Sequence, residues 1–247
     1  MEPALKYVAA ALLLVGSLAL QASEQGTGPM PRTVVPTPRV VEYDWMSIAE
    51  WQELHAEDVA IAAQGGIDLL FLGDSITQFW HEPTWESHFS TYKAANFGIS
   101  TDRTQNLLWR LNNGATGILN PRVVVIMIGV NNFEHDNDSA EDVFLGVEAI
   151  VEKVKLSFSE AQIILLGILP YGVEPDTPNR QRVSKANALI AELGKDPRVD
   201  FHDIGAAFEL ADGSISLELM YDTLHPSEKG YEVFAVALDP VLQNLLK

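Results

Sequence analysis

The sequence predicts an α/β protein with one domain, in which helices cover both faces of a mostly parallel β-sheet. Two observations lead to this prediction. Short, continuous apolar runs alternate along the chain with amphipathic segments of helical period. The 247 residues, of which 47% are hydrophobic, are also enough to bury the core of one such domain.

The first half of the chain is predicted to form two helices and three strands. Gly65-Gly66 ends a stretch of helical character, and the apolar run that follows it is typical of a buried strand. Leu107, Leu108 and Leu111 share one side of a helix, and a β-branched run ends at Gly129 as the clearest buried strand. The predicted elements are a helix at 47–64, strands at 67–72 and 94–97, a helix at 103–111 and a strand at 122–128.

The second half continues the alternation. Ser139 and Asp142 have a spacing like that of a capping box, and Pro170 stops an apolar strand. Pro226 directly precedes the last helix, within which Asp239-Pro240 is a candidate break. The predicted elements are a helix at 139–156, a strand at 161–168, a helix at 178–194, a strand at 199–202 and a helix at 227–246.

The N-terminus has the pattern of a secretory signal peptide, predicted at residues 1–22. Lys6 precedes an apolar stretch, and small residues near Ala22 resemble a cleavage site. The stretch is shorter than the roughly 18–20 residues of a membrane-spanning helix, although an uncleaved anchor is the alternative. We therefore expect a periplasmic or secreted protein with no stable membrane span after the signal is cleaved.

The segment after the signal is predicted to be a flexible leader, at residues 23–39. It is rich in Pro, Gly and Thr, which is typical of an extended linker. The folded domain is then expected to occupy residues 40–247.

Charge and composition exclude several functions. The formal net charge is −18 and the isoelectric point about 4.5, so nucleic acid and anionic lipid surfaces are poor partners. The acidity is most simply a property that favours solubility. The chain has no cysteine, which excludes disulfides, thiol catalysis and cysteine-ligated metals.

Residues 71–77 read FLGDSIT and carry a candidate nucleophile, Ser75. A buried strand ends there in a small polar turn, where parallel sheets bind ligands. Residues 222–226 read DTLHP and place Asp222 and His225 three positions apart. These are the residue types of a nucleophilic hydrolase, in which the imidazole takes the serine proton and the carboxylate orients the ring. The alternative is that Asp222 caps the last helix and His225 is a surface residue.

Acyl transfer also needs hydrogen-bond donors for a developing oxyanion. The backbone N–H of Ser75 is one candidate, because its turn begins a helix whose first amides are unpaired. Asn131, just after Gly129 at a strand end, is the candidate side-chain donor, with a simple Asx turn as the alternative. Residue 77 is Thr, so the pattern is not Gly-x-Ser-x-Gly and a lipase-type nucleophile elbow is disfavoured.

Four groups of motifs occur in order along the chain: GDSI at 73–76, NFGI at 96–99 with DRT at 102–104 and LWRL at 108–111, GVNN at 129–132 and DTLH at 222–225. Together they resemble the motifs of the GDSL, or SGNH, hydrolase family. The resemblance is greatest to the branch that contains the catalytic subunits of platelet-activating-factor acetylhydrolase, and it runs from about Trp51 to the C-terminus.

The resemblance implies a three-layer, flavodoxin-like α/β/α sandwich and an esterase that needs no metal or other cofactor. It implies that Ser75 is the nucleophile, His225 the base, Asp222 its orienting residue and Asn131 an oxyanion donor. Thr101 stands where the family usually has the glycine whose backbone N–H completes the oxyanion hole. Threonine keeps that donor but does not readily adopt positive φ, which bears on the shape of the loop and the width of the pocket.

Four further residues are candidates for supporting or lining the site. Asp74 is expected to order the nucleophile turn. Arg103 is expected to fix the second-motif loop, which joins NFGI to DRT in the second motif group, by an ion pair or to line the pocket. Gly98 and Phe133 lie beside the motifs as candidate pocket residues. The acidic run at 134–138 lacks the spacing of a metal site and is predicted to be a solvated loop.

We therefore predict an exported serine esterase for short, acetyl-type esters, with a small-molecule or glycan-linked ester as substrate. The alternatives are a lysophospholipase or thioesterase of the same family, a non-catalytic carbohydrate-binding protein on this scaffold, and a metal-dependent phosphoesterase that uses the acidic loops. The resemblance also raises the expectation of a homodimer.

Overall fold

The core of the molecule is one parallel sheet, seen in a computed structural model that describes residues 29–246. The sheet order is β2-β1-β3-β4-β5, and the central strands β1 and β3 are buried along their whole length because helices cover both faces. The strands are β1 (Leu69–Gly73), β2 (Ala94–Gly98), β3 (Val123–Met127), β4 (Gln162–Leu166) and β5 (Val199–His202).

Helices form the outer two layers. The connection from β1 to β2 runs across the sheet in the opposite direction to the later ones, so right-handed crossovers place α3 on one face and α4, α6 and α7 on the other. Accordingly α6 packs on α4 and α7, and α3 packs on α8, which confirms the predicted three-layer sandwich. The helices are α1 (Ile48–Ala62), α2 (Ser75–Gln78), α3 (Glu82–Phe89), α4 (Thr104–Asn112), α5 (Val130–Asp136), α6 (Ala140–Ser157), α7 (Pro178–Ile190) and α8 (Glu228–Leu245).

The register of the sheet sets the position of the site. Gly73, at the end of β1, is paired with Gly98 of β2 on one side and with Met127 of β3 on the other. The segments that follow these three strands therefore leave the sheet side by side at one edge. They carry Ser75, Thr101 and Asn131.

The N-terminal arm, residues 32–43, does not behave as the predicted flexible leader. Thr33 is fully buried, the Thr37 N–H donates to Gln105 O at 3.1 Å, and the Asn106 amide donates to Thr37 O at 3.0 Å. Packing on α4 and α6 thus fixes residues 32–39, so the folded domain begins before Val40. The composition of the segment fits a free linker and a packed arm equally well. Only its contacts with α4 and α6 show that it is a packed arm.

The last helix also differs from the prediction, because α8 continues through Pro240. A proline in a helix removes one backbone hydrogen bond, but the buried face of α8 continues across it at Phe234, Leu238 and Leu242. Burial of that face holds the two halves of the helix in line.

No helix within residues 29–246 is both long and apolar enough to cross a membrane. The predicted signal peptide, residues 1–22, lies outside the described residues, as do residues 23–28 of the predicted leader.

Candidate active site

The nucleophile turn connects β1 to the short helix α2. Asp74 caps α2, and its Oδ1 accepts a hydrogen bond from the Ile76 N–H at 3.0 Å, as expected for a turn residue. Gly73 is required by crowding, because a Cβ there would lie 2.0 Å from Thr77 Oγ1 and 2.6 Å from Met127 O. Ser75 is the first residue of α2, so its N–H has no acceptor within the helix.

The turn at residues 222–225 delivers the imidazole to Ser75. One carboxylate oxygen of Asp222 accepts the backbone N–H groups of Leu224 and His225, at 3.0 and 2.7 Å. The other lies 2.6 Å from His225 Nδ1, and His225 Nε2 lies 2.9 Å from Ser75 Oγ. Thr223, at φ +68°, allows the chain to turn within these four residues. The structure therefore brings the three predicted side chains together.

The alternative role for Asp222 is wrong, because α8 has a different cap. Ser227 is the N-cap, and its hydroxyl accepts the Gly230 N–H at 3.2 Å. Burial alone would raise the pKa of Asp222, but the hydrogen bonds from His225 and Leu224 hold it below the ordinary value. An ionised Asp222 accepts from Nδ1–H, which leaves the Nε2 lone pair for the Ser75 hydroxyl.

Two of the three predicted oxyanion donors, Thr101 and Asn131, are buried at the same sheet edge as the third, Ser75. Thr101 has φ +62°, and its hydroxyl donates to Ser100 O at 2.7 Å and accepts a hydrogen bond from Arg39. Threonine therefore does occupy the left-handed region here, contrary to the expectation from its shape. One proton of the Asn131 amide bonds to Asp102 O at 3.1 Å, and the amide has a second proton to donate.

Comparison with known proteins identifies the family. Residues 71–233 match the model of the GDSL-like lipase/acylhydrolase family. The chain is 38% identical over 226 residues to platelet-activating factor acetylhydrolase IB subunit alpha1 of Rattus norvegicus, covering 91% of this chain and 93% of that protein. The chain belongs to the GDSL-like lipase/acylhydrolase family.

A further relative and a solved structure are also similar to the chain. Platelet-activating factor acetylhydrolase IB subunit alpha2 of Rattus norvegicus is 38% identical over 199 residues, 80% of this chain and 85% of that protein. The crystal structure of a GDSL-like lipase from Bacteroides thetaiotaomicron superposes with a TM-score of 0.67 at 20% identity, covering 79% of this chain and 98% of that one. The second likeness shows the fold. The protein is thus a carboxylic ester hydrolase of the GDSL family.

Gly98, Arg103 and Phe133, the other candidate support residues of this GDSL hydrolase, pack against or pair with residues of the fold. A Cβ at Gly98 would lie 2.3 Å from Gln78 N, so glycine there permits α2 to approach β2. Arg103 Nε lies 2.7 Å from Asp136 Oδ2, the ion pair expected for the second-motif loop. Phe133 is buried in the core, with the guanidinium of Arg182 above its ring.

The acidic run at 134–138 is not the predicted solvated loop. Its first residues belong to α5. Asp136 and Asp138 form ion pairs with Arg32 of the N-terminal arm, and Asp136 also pairs with Arg103 of the second-motif loop. Asp138 is itself buried and pairs with Arg32 at 2.6 Å. Among residues 29–246, no three histidine, aspartate or glutamate side chains converge in a way that could hold a metal ion.

A buried ionic cluster of Asp58, Asp102 and Arg110 lies behind the site and was not predicted. Arg110 Nε lies 2.7 Å from Asp102 and Nη1 lies 2.9 Å from Asp58, while Nη2 donates to Gly73 O at 3.2 Å. Trp51 Nε1 donates to the other Asp102 oxygen at 2.7 Å. The cluster ties α1 and α4 to the nucleophile turn. Burial raises the pKa of Asp58 to about 7, and Arg110 opposes that rise.

Aromatic rings border the histidine on the open side. The rings of Phe79 and Tyr221 lie 5.8 and 6.1 Å from that of His225, and both are exposed. They line a cavity of about 370 Å³ together with the start of α8. A larger cavity of about 620 Å³ lies beside α7 and β5, and none of the predicted site residues lines either cavity.

Proposed function

We propose that this GDSL hydrolase is an exported serine esterase that cleaves short-chain, acetyl-type esters through an acyl-enzyme. The observation that carries the proposal is the chain of contacts from Asp222 through His225 to Ser75, at 2.6 and 2.9 Å. The hydroxyl, imidazole and carboxylate stand in the order that nucleophilic catalysis requires.

In the first half of the reaction, Ser75 Oγ attacks the ester carbonyl carbon and its proton passes to His225 Nε2. Asp222, ionised and bonded to Nδ1–H, stabilises the imidazolium. The tetrahedral oxyanion accepts hydrogen bonds from the N–H groups of Ser75 and Thr101 and from the Asn131 amide. Each such donor typically contributes about 10²–10³-fold to the rate.

In the second half, the tetrahedral intermediate collapses and the alkoxide leaving group takes the proton from Nε2. The acetyl group remains on Ser75 as an ester. His225 then removes a proton from water, the hydroxide attacks the acyl carbon, and Ser75 is released with its hydroxyl restored.

The acetyl preference is supported by relatives named acetylhydrolases, to which the chain is 38% identical over most of its length. The apolar stretch before Ala22 supports export to the periplasm or the medium. An exported enzyme of this kind would act on small or glycan-linked acetyl esters outside the cytoplasm.

The test is hydrolysis of p-nitrophenyl esters from C2 to C12, alongside acetylated xylan and a lysophospholipid. We expect the acetate ester to give the highest kcat/KM, and Ser75→Ala to lower it by at least about 10³-fold. Ser87→Ala is the matched control, because the Ser87 hydroxyl donates to Thr84 O in α3, away from the triad.

Two results would contradict the proposal. Full activity in Ser75→Ala would show that Ser75 is not the nucleophile. Faster cleavage of C8–C12 esters than of the acetate ester would contradict the preference for short acyl chains. N-terminal sequencing of protein recovered outside the cytoplasm tests export, with Ser23 the expected first residue.

A further inference from the structure

Thr101 has a backbone conformation that its β-branched side chain disfavours. At φ +62° it occupies the left-handed region, where β-branched residues are outliers, and it is only 5% exposed. Such strain persists only where the surroundings impose it, and it is concentrated at functional sites. Within residues 29–246 the Thr101 N–H donates to no protein acceptor, so the strained residue presents a free amide at the proposed oxyanion hole.

The Thr101 side chain and the preceding carbonyl are contacted by the N-terminal arm. Arg39 Nη2 donates to Thr101 Oγ1, and Nη1 lies 3.4 Å from Ser100 O. The Thr101 hydroxyl gives its own proton to Ser100 O at 2.7 Å, so its lone pairs are turned to the guanidinium. The Arg39 guanidinium and the Thr101 hydroxyl are therefore hydrogen-bonded to each other, and both donate to the Ser100 carbonyl.

Arg39 is itself fixed in place. Its Nε donates to Val41 O at 3.1 Å, and its guanidinium lies over the Tyr43 ring, 4.9 Å from the centroid. The residue is only 5% exposed, although none of its hydrogen bonds goes to a carboxylate. A buried cation without a bonded carboxylate is costly, which argues that the segment serves more than the attachment of the chain end.

We propose that Arg39 is a positioning residue for the oxyanion hole, which clamps Thr101 in the left-handed conformation so that its N–H is available to the transition state. This inference rests on the proposed function. It adds a role for the N-terminal arm, which contributes a side chain to the support of the site from a place 62 residues before Thr101.

Three variants test the clamp. Arg39→Met removes the donors and keeps most of the side-chain length, Thr101→Val removes only the hydroxyl, and Thr101→Gly reaches positive φ without help. Arg39→Met and Thr101→Val should each lower kcat about 10–100-fold with KM changed less than about 3-fold, because the lost donor acts on the transition state.

The kcat values of the double variants distinguish the proposed clamp from two independent effects. The double variant Arg39→Met/Thr101→Val should be no slower than the slower single variant, because both break one link. In the Thr101→Gly background, Arg39→Met should change kcat by less than about 3-fold, because glycine no longer needs the clamp. Arg32→Met is the matched control, an arginine of the same arm that pairs with Asp138, and it should leave kcat unchanged.

An equal loss from Arg39→Met in the wild-type and Thr101→Gly backgrounds would overturn the proposal, as would a change confined to KM. If Arg39→Met does not fold, Thr101→Val still tests the link, since full kcat in that variant contradicts it. Urea unfolding of the same variants measures Arg39–Thr101 coupling without any substrate. The clamp is therefore tested even if Ser75→Ala retains activity and the proposed function fails.

Discussion

The triad turn, residues 222–225 with the Asp222–His225 pair of the proposed triad, and the buried ionic cluster each join an aspartate to a nitrogen-containing group at nearly the same distance, in opposite surroundings. His225 and Asp222 meet at 2.6 Å with 17% and 40% of their side chains exposed, whereas Arg110 and Asp102 meet at 2.7 Å with 0% and 1% exposed. Contact length therefore does not distinguish a chemical pair from a structural one. Exposure and the titrating group do, because a guanidinium stays protonated in a protein, whereas an imidazole open to substrate and water can exchange a proton during turnover.

The energetic consequences differ in the same way. A buried charge that loses its partner is left without solvent, whereas an exposed one is rehydrated. Changes in the ionic cluster should therefore appear in stability and changes at the triad in rate.

The largest expected effect is on folding, from Arg110→Met. The variant leaves Asp58 and Asp102 buried without their common cation, so the free energy of unfolding should fall by about 3–5 kcal/mol. Urea denaturation measures it. Lys195→Met removes a lysine whose pair with Glu192 is exposed, and it should cost less than about 1 kcal/mol. A loss of similar size in both variants would mean that burial does not separate the regions.

At the triad, Asp222→Asn should lower kcat/KM by about 10²–10⁴-fold while the free energy of unfolding changes by less than about 1 kcal/mol. An amide does not stabilise the imidazolium and can present its N–H₂ to Nδ1, which favours the wrong tautomer. Asp212→Asn is the control, because Asp212 likewise accepts from a following turn, at Ser214, and is exposed. A loss of stability rather than of rate would reverse the assignment of the two regions.

The triad turn could be predicted from the sequence because its parts are close along the chain. Asp222 and His225 lie three positions apart, and Pro226 restricts His225 to an extended backbone. The apolar runs likewise indicate the five strands within a few residues, since continuous burial leaves a clear pattern. The second-motif loop is located through its resemblance to known motifs rather than through any local rule.

The supporting contacts could not be predicted, because they join residues far apart. Arg110 and Asp58 are 52 positions apart, and Arg39 and Thr101 are 62 apart. Nothing in the composition of residues 23–39 distinguishes a free linker from an arm that packs on α4. The positive φ of Thr101 escapes prediction for the same reason, since local sterics disfavour it and a distant guanidinium maintains it.

Asp74 lies between the two regions, next to Ser75 and yet 1% exposed. Burial raises its pKa to about 7, the Ile76 N–H opposes the rise, and the charge of Asp102 adds to it. From about pH 4 to pH 7 the unfolded chain therefore loses a proton that the folded protein keeps. The contribution of Asp74 to stability must fall as the pH rises through this window and level off above it.

Asp74→Asn isolates this contribution, because the amide keeps the shape and an oxygen that can accept the Ile76 N–H but does not titrate. Relative to wild type, the variant should gain about 1–3 kcal/mol of unfolding free energy between pH 5 and pH 8, measured by urea denaturation at each pH. In Asp212→Asn the difference should stay constant, since Ser214 lowers the pKa of that exposed carboxyl and it is ionised in both states. Parallel curves for Asp74→Asn and wild type would mean that Asp74 is already charged in the folded protein, and would place it with the triad rather than with the buried cluster.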